Sequence, residues 1–127
     1  MDFISQEAEK GRKLFNQGEY YEAHEHFEAA WRQMHDPSRE FYRALLQVSG
    51  GYYRLTQERP KAAKKFFTHA LGWLREFPSP FLGINTAEIK LQLQKMINAI
   101  EQNKDTEKIL QQYMQTLPMV GTDSRSE

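Results

Sequence analysis

The chain has 127 residues, 39% of them apolar and 13% aromatic, enough for one domain with a single core. Seventeen basic residues balance seventeen acidic ones, so the cationic footprint of a protein that grips nucleic acid by its phosphates is missing. With no cysteine, disulfides, thiolate nucleophiles and Cys-ligated zinc or iron–sulfur clusters are excluded.

The N-terminal run Met1-Asp2-Phe3-Ile4-Ser5-Gln6-Glu7 has neither a basic region nor an apolar stretch, and nothing approaches the ~20 apolar residues of a membrane span. A cytoplasmic protein with no membrane and no nucleic-acid partner is expected. Charge is nonetheless uneven. Residues 1–38 carry four bases and eight acids, a net of −4, whereas residues 39–76 carry eight bases and three acids, a net of +5. Such a dipole orients a partner or a second copy of the chain, or merely solvates outer helix faces.

Apolar residues recur at helical spacing, and no alternating β-branched run predicts a strand. A first helix is expected from about Phe3 to Asn16 on Ile4, Ala8, Gly11, Leu14 and Phe15, ended by Gly18. The second starts near Tyr20, carries Tyr20, Ala23, Phe27, Ala30, Trp31 and Met34 on one stripe, and stops around Asp36-Pro37-Ser38. Ser38 is the expected N-cap of a third helix over about Arg39 to Gln57, with a stripe of Tyr42, Leu45, Leu46, Ser49, Tyr52 and Tyr53. Gly50-Gly51 within it costs roughly 1 kcal/mol per glycine relative to Ala, which implies close approach by another backbone.

The fourth helix begins at Pro60 and buries Ala63, Phe66, Phe67, Ala70, Leu71 and Leu74, with Trp73 sealing its edge. Phe77 to Gly83 reads as a turn-rich connection. Asn85 and Glu88 then have the offset of an N-terminal cap for a fifth helix to about Asn103, buried through Ile89, Leu93, Met96, Ile97 and Ile100. A sixth helix from Thr106 to Leu117 packs Ile109, Leu110, Tyr113 and Met114. Residues 1–117 thus form a single helical domain and 118–127 a frayed tail.

Ala23-x3-Phe27-x2-Ala30 in the second helix is echoed by Ala63-x3-Phe67-x2-Ala70 in the fourth, 40 residues on. Small and aromatic residues are used in this way by tetratricopeptide helices, whose repeat is nearer 34 residues. The predicted fold is all-α, a compact bundle of five to six antiparallel helices with tetratricopeptide-like hairpins.

Chemistry concentrates on the second helix. At 100° per residue His24, Phe27, Glu28 and Trp31 share one side, while Glu25 points the opposite way. The i, i+4 pair His24/Glu28 suits a shared cation, a carboxylate that orients an imidazole, or a hydrogen-bonded pair at the core margin. A metal site needs further ligands, for which His69 and Gln47 are the candidates. His24-Glu25-His26-Phe27-Glu28 is not a zincin motif, which needs its second His at i+4 from the first. Arg43, Gln47 and Arg54 follow one line of the third helix beside the glycines, where guanidinium forks bind a carboxylate or phosphate, or else lie over apolar surface. Arg59, Lys61, Lys64 and Lys65 make a second basic patch, and Tyr52, Tyr53, Phe66, Phe67 and Trp73 are read as core.

The run Phe15-Asn16-x-Gly18-x-Tyr20-Tyr21-Glu22-Ala23-His24-Glu25-x2-Glu28-x2-Trp31, followed by Phe41-Tyr42-x2-Leu45-Leu46-Gln47-x2-Gly50 and Ala63, resembles domain of unknown function family 309. The resemblance spans residues of about 14 to 75. It implies a small all-α domain, bacterial or plastid-related, and draws interest to His24, Glu25, Glu28, Trp31 and Gln47. It implies no activity, and nothing from about Asn103 onward takes part in it.

The expected function is therefore a binding or scaffolding module for a protein partner or small anionic ligand, with homo-oligomers allowed and no cofactor. The competing expectation is a metal-dependent hydrolase in which His24 and Glu28 ligate a divalent ion that activates water.

Overall fold

The computed structural model describes residues 3–112 and 115–120. Six helices follow in order: α1 (Gln6–Asn16), α2 (Tyr20–Gln33), α3 (Ser38–Thr56), α4 (Pro60–Leu74), α5 (Thr86–Glu101) and α6 (Thr106–Gln112). The fold is all-α as predicted, with isolated β-bridges joining Phe81 to Ile84 and Ile84 to Met119. Among the described residues no helix is long and apolar enough to cross a membrane.

Links of three or four residues join the first four helices, so each packs against the next in the chain. α3 is central, lying against α2 on one side and α4 on the other. Its buried residues run through Phe41, Tyr42, Leu45, Val48, Tyr52 and Leu55. The echoed residues Ala23, Phe27, Ala30, Ala63, Phe67 and Ala70 are all fully enclosed. Deep in the core the Tyr52 ring meets Phe15, Tyr20 and Phe67 at centroid distances of 5.3, 5.3 and 4.8 Å.

The glycine pair does admit a close neighbour, but aromatic rings rather than the expected backbone. A Cβ on Gly50 would lie 2.7 Å from the Phe66 ring, and one on Gly51 would press closer still on Phe67, so α4 seats two aromatic rings on bare α3 backbone. Gly11 receives the Phe27 ring of α2 in the same way. α1 and α2 are further joined by Glu7 and His26, 2.5 Å apart.

Three helix ends differ from the expected ones. α1 begins at Gln6 because the Ser5 hydroxyl accepts from the Ala8 N–H, an N-cap the apolar pattern hid. Ser38 is not the cap of α3; it donates its N–H (2.9 Å) and its hydroxyl to the Asp36 carboxylate. Among the described residues α6 covers Thr106–Gln112, and 115–117, expected to continue it, are not helical, Pro118 biasing Leu117 to extended backbone. Tyr113 and Met114, expected to pack there, lie outside the described residues.

Residues 115–120 form an extended strap. The Leu117 N–H donates to Asn16 Oδ1 (2.9 Å), its carbonyl accepts from Arg12, and the Thr116 N–H donates to Gln92 Oε1 (2.9 Å). Asn85 donates to the Pro118 carbonyl and Val120 to that of Gly83. Pro118, Met119 and Val120 are therefore tied to the body rather than frayed, and the rest of the expected tail lies outside the described residues. The connection after α4 is likewise more than a turn, because Phe77 and Phe81 pack edge-on against Phe41 at 5.4 and 4.9 Å. Asn85 caps α5 as expected, accepting from the Glu88 N–H.

Two outcomes follow for stability. Gly51→Ala, forced against Phe67, is expected to lower stability by about 1–3 kcal/mol, whereas Gly72→Ala, which meets open space inside α4, raises it by roughly 0.5–1 kcal/mol. Parallel urea titrations of the two variants check both signs. The Tyr52 hydroxyl is buried with no hydrogen-bond partner. Tyr52→Phe removes an unsatisfied group and is expected to raise stability by on the order of 1 kcal/mol, read by thermal melting.

Candidate functional site

The predicted site residues divide between two places along the α2–α3 seam. Trp31, partly buried near the end of α2, carries the Arg39 guanidinium 4.4 Å from its ring centre and that of Arg43 at 5.8 Å. Arg43 also lies 4.1 Å from the centre of Trp73 on α4. Arg39 donates to the Trp31 carbonyl, and both arginines approach Glu40 at 3.6 and 3.7 Å. In this stack of rings and cations two guanidinium groups share one carboxylate and Trp31 Nε1 is buried without a hydrogen-bond partner among the described residues, and it takes Trp31 and Arg43 away from His24.

His24 and Arg54 meet elsewhere, in a cleft of about 280 Å³ between α2 and α3. Tyr21 and His24 contribute from α2, Gly50, Tyr53 and Arg54 from α3, and Gln57 and Arg59 from the α3–α4 turn. Tyr21 stacks on His24 at 6.1 Å and meets Tyr53 at 5.2 Å. Gly50 leaves the wall without a side chain.

Arg54 is held from behind, its guanidinium 4.7 Å from the centre of Phe66 and 5.8 Å from that of Tyr53. Among the described residues its side chain makes no ion pair and no hydrogen bond. His24 Nδ1 is buried and has no partner either. The turn that brings up Arg59 closes α3 with Glu58 in the left-handed region, φ 58°, where the Glu58 N–H reaches the Leu55 carbonyl and the Arg59 N–H that of Arg54. A side chain in that conformation costs on the order of 1 kcal/mol, so the rim of the cleft carries backbone strain.

The remaining candidates stand apart from the cleft. Glu28 pairs with Arg32 at 2.8 Å and makes no hydrogen bond to His24, so the expected pair at the core margin does not form. Glu25 is exposed, as its helical angle implies. Gln47 is half-buried and does not line the cleft. His69 is exposed on α4, and among the described residues no group of three or more His, Cys, Asp or Glu side chains is placed to hold a metal ion. The hydrolase expectation thus lacks its third ligand. Lys64 of the basic patch is engaged with Glu101 at 3.0 Å.

Tyr21, Tyr53 and Gln57 were not among the expected site residues, and Arg59 was placed in a separate patch. Tyr21 had a legible signal, since it lies one helical turn before His24. Tyr53, read as core, is only partly buried and forms a wall, and Gln57 is fixed by donating to its hydroxyl at 3.2 Å.

Burial holds the His24 pKa below the ordinary histidine value; Glu28 opposes this, Arg54 reinforces it, and Glu25 opposes it more weakly. The unfolded chain therefore takes up this proton first as pH falls. Stability linked to His24 is complete above the unfolded value of ~6.5 and is lost as pH falls from there to the lower folded value. Chemical denaturation at pH 7 and pH 5 is expected to show the wild type losing more stability than His24→Gln over that interval.

An uncharacterized protein of Aquifex aeolicus (strain VF5) is 28% identical over 102 residues, covering 77% of this chain. The chain spans 31% of that relative's length. Residues 8–66, which supply most of α1 to α3 and the start of α4 together with every residue of the cleft, match the family described as Domain of unknown function (DUF309).

Proposed function

We propose that the chain is a helical binding module whose α2–α3 cleft receives an anionic group, presented by a small ligand or by the surface of a partner protein. The observation that carries this reading is the state of Arg54. Its guanidinium is partly buried, fixed over Phe66 and Tyr53, and has donors with no acceptor among the described residues. A carboxylate or phosphate supplies such acceptors, and the fixed fork reduces the ordering that binding requires. His24, whose Nδ1 is buried without a hydrogen-bond partner, lines the same cleft.

Titration with acetate and with inorganic phosphate, followed by NMR, is expected to shift the resonances of His24, Arg54 and Arg59. Arg54→Gln is expected to weaken the tighter of the two at least tenfold, with a melting transition still cooperative. Absence of any shift in the cleft, or an unchanged affinity in the variant, refutes the reading.

A further inference from the structure

Resting on that reading of the cleft, we propose that the anion is a phosphate monoester borne on an aromatic ring. The first support is charge. Arg54 and Arg59 place two permanent cations on the cleft, and no carboxylate is among its lining residues. Glu28 and Glu25 reach His24 only through their fields, and Glu28 is already paired with Arg32. A carboxylate neutralises one such cation; a phosphate monoester, with a charge of about −1.5 to −2 at neutral pH, neutralises both.

Direction is the second support. Two guanidinium donors come from separate places, Arg54 from α3 and Arg59 from the α3–α4 turn, with His24 of α2 beside them. A planar carboxylate presents two oxygens to one fork, while a phosphate monoester presents three terminal oxygens in a pyramid. α4 also starts beside Arg59 with no side-chain cap and no acid in its first turn, so its positive end adds to the potential at the rim.

Size and surface identify the carrier. The cleft, about 280 Å³, is several times the ~30 Å³ that one water takes in the liquid, so a phosphoryl group leaves room unfilled. That room is bounded by the Tyr21 and Tyr53 rings, and Tyr21 is 49% exposed, offering ring surface to a ligand. A flat apolar group recovers this surface by stacking.

Calorimetric titration of the full chain at pH 7.5 with phenyl phosphate, inorganic phosphate, benzoate and a phosphotyrosine pentapeptide tests the assignment. Phenyl phosphate is expected to bind at least tenfold more tightly than benzoate and at least threefold more tightly than inorganic phosphate. Arg59→Gln should reduce the preference over benzoate, and Tyr21→Ala the preference over inorganic phosphate. Both side chains are exposed, and melting curves verify folding. A peptide tighter than phenyl phosphate assigns the ester to a modified protein; an equal or weaker one assigns it to a small molecule. Benzoate matching phenyl phosphate overturns the phosphate assignment and leaves an anion cleft standing, and inorganic phosphate matching it overturns the ring. No binding by any of the four removes the assignment and the anion reading together.

Discussion

With hydrogens in place of side chains at Gly50 and Gly51, α3 lets the Phe66 and Phe67 rings of α4 settle on its backbone. Two consequences arise from that contact. It draws α4 close enough for Phe67 to join the Tyr52 cluster at the centre of the core, and it positions Phe66 as the surface on which Arg54 is laid. Gly50 also lines the cleft. The helix-propensity cost of two glycines in mid-helix is thus offset by aromatic packing, and the geometry of the candidate site depends on the same two residues.

One pair of helices, α2 and α3, supports two arrangements of arginine on aromatic surface with opposite character. Around Trp31 the cations of Arg39 and Arg43 have rings beneath them and Glu40 beside them, so each has an acid within reach. Around His24 the ring beneath Arg54 is present but the acid is missing. The first arrangement stiffens the seam. The second leaves donors available, and the difference between them is a single glutamate.

Much of the fold was legible in the sequence because apolar spacing reports directly on which helix face is buried. The stripes of α2, α4 and α5, the glycine contact and the Asn85 cap all follow from local pattern. What escaped was set by partners distant in sequence. The strap after α6 is extended because Gln92 and Asn16 supply acceptors to Thr116 and Leu117, and no local signal at 115–120 announces those side chains. Ser5 was hidden by apolar neighbours that suggested an earlier helix start. For the site, helical angle grouped His24 with Glu28 and Trp31 on one face, but what neighbours on a face meet depends on the side chains around each. From α3, Arg39 and Arg43 claim Trp31; within α2, Arg32 claims Glu28; and the turn residues Gln57 and Arg59 complete the cleft around His24.

The strap's contacts also govern the order in which the molecule can be completed. α1 to α4 are joined by short links and pack on sequence neighbours, so their assembly closes only small loops. The bonds from Arg12 to the Leu117 carbonyl and from Leu117 to Asn16 instead close loops of 105 and 101 residues. On a ribosome those partners do not exist until nearly the whole described chain has been made. The end of α1 therefore waits, Asn16 without its strap partner and Arg12 held by Glu9 alone, while the four-helix body and its cleft can already assemble; the later-made strap acts as a latch on a structure whose interior is largely built.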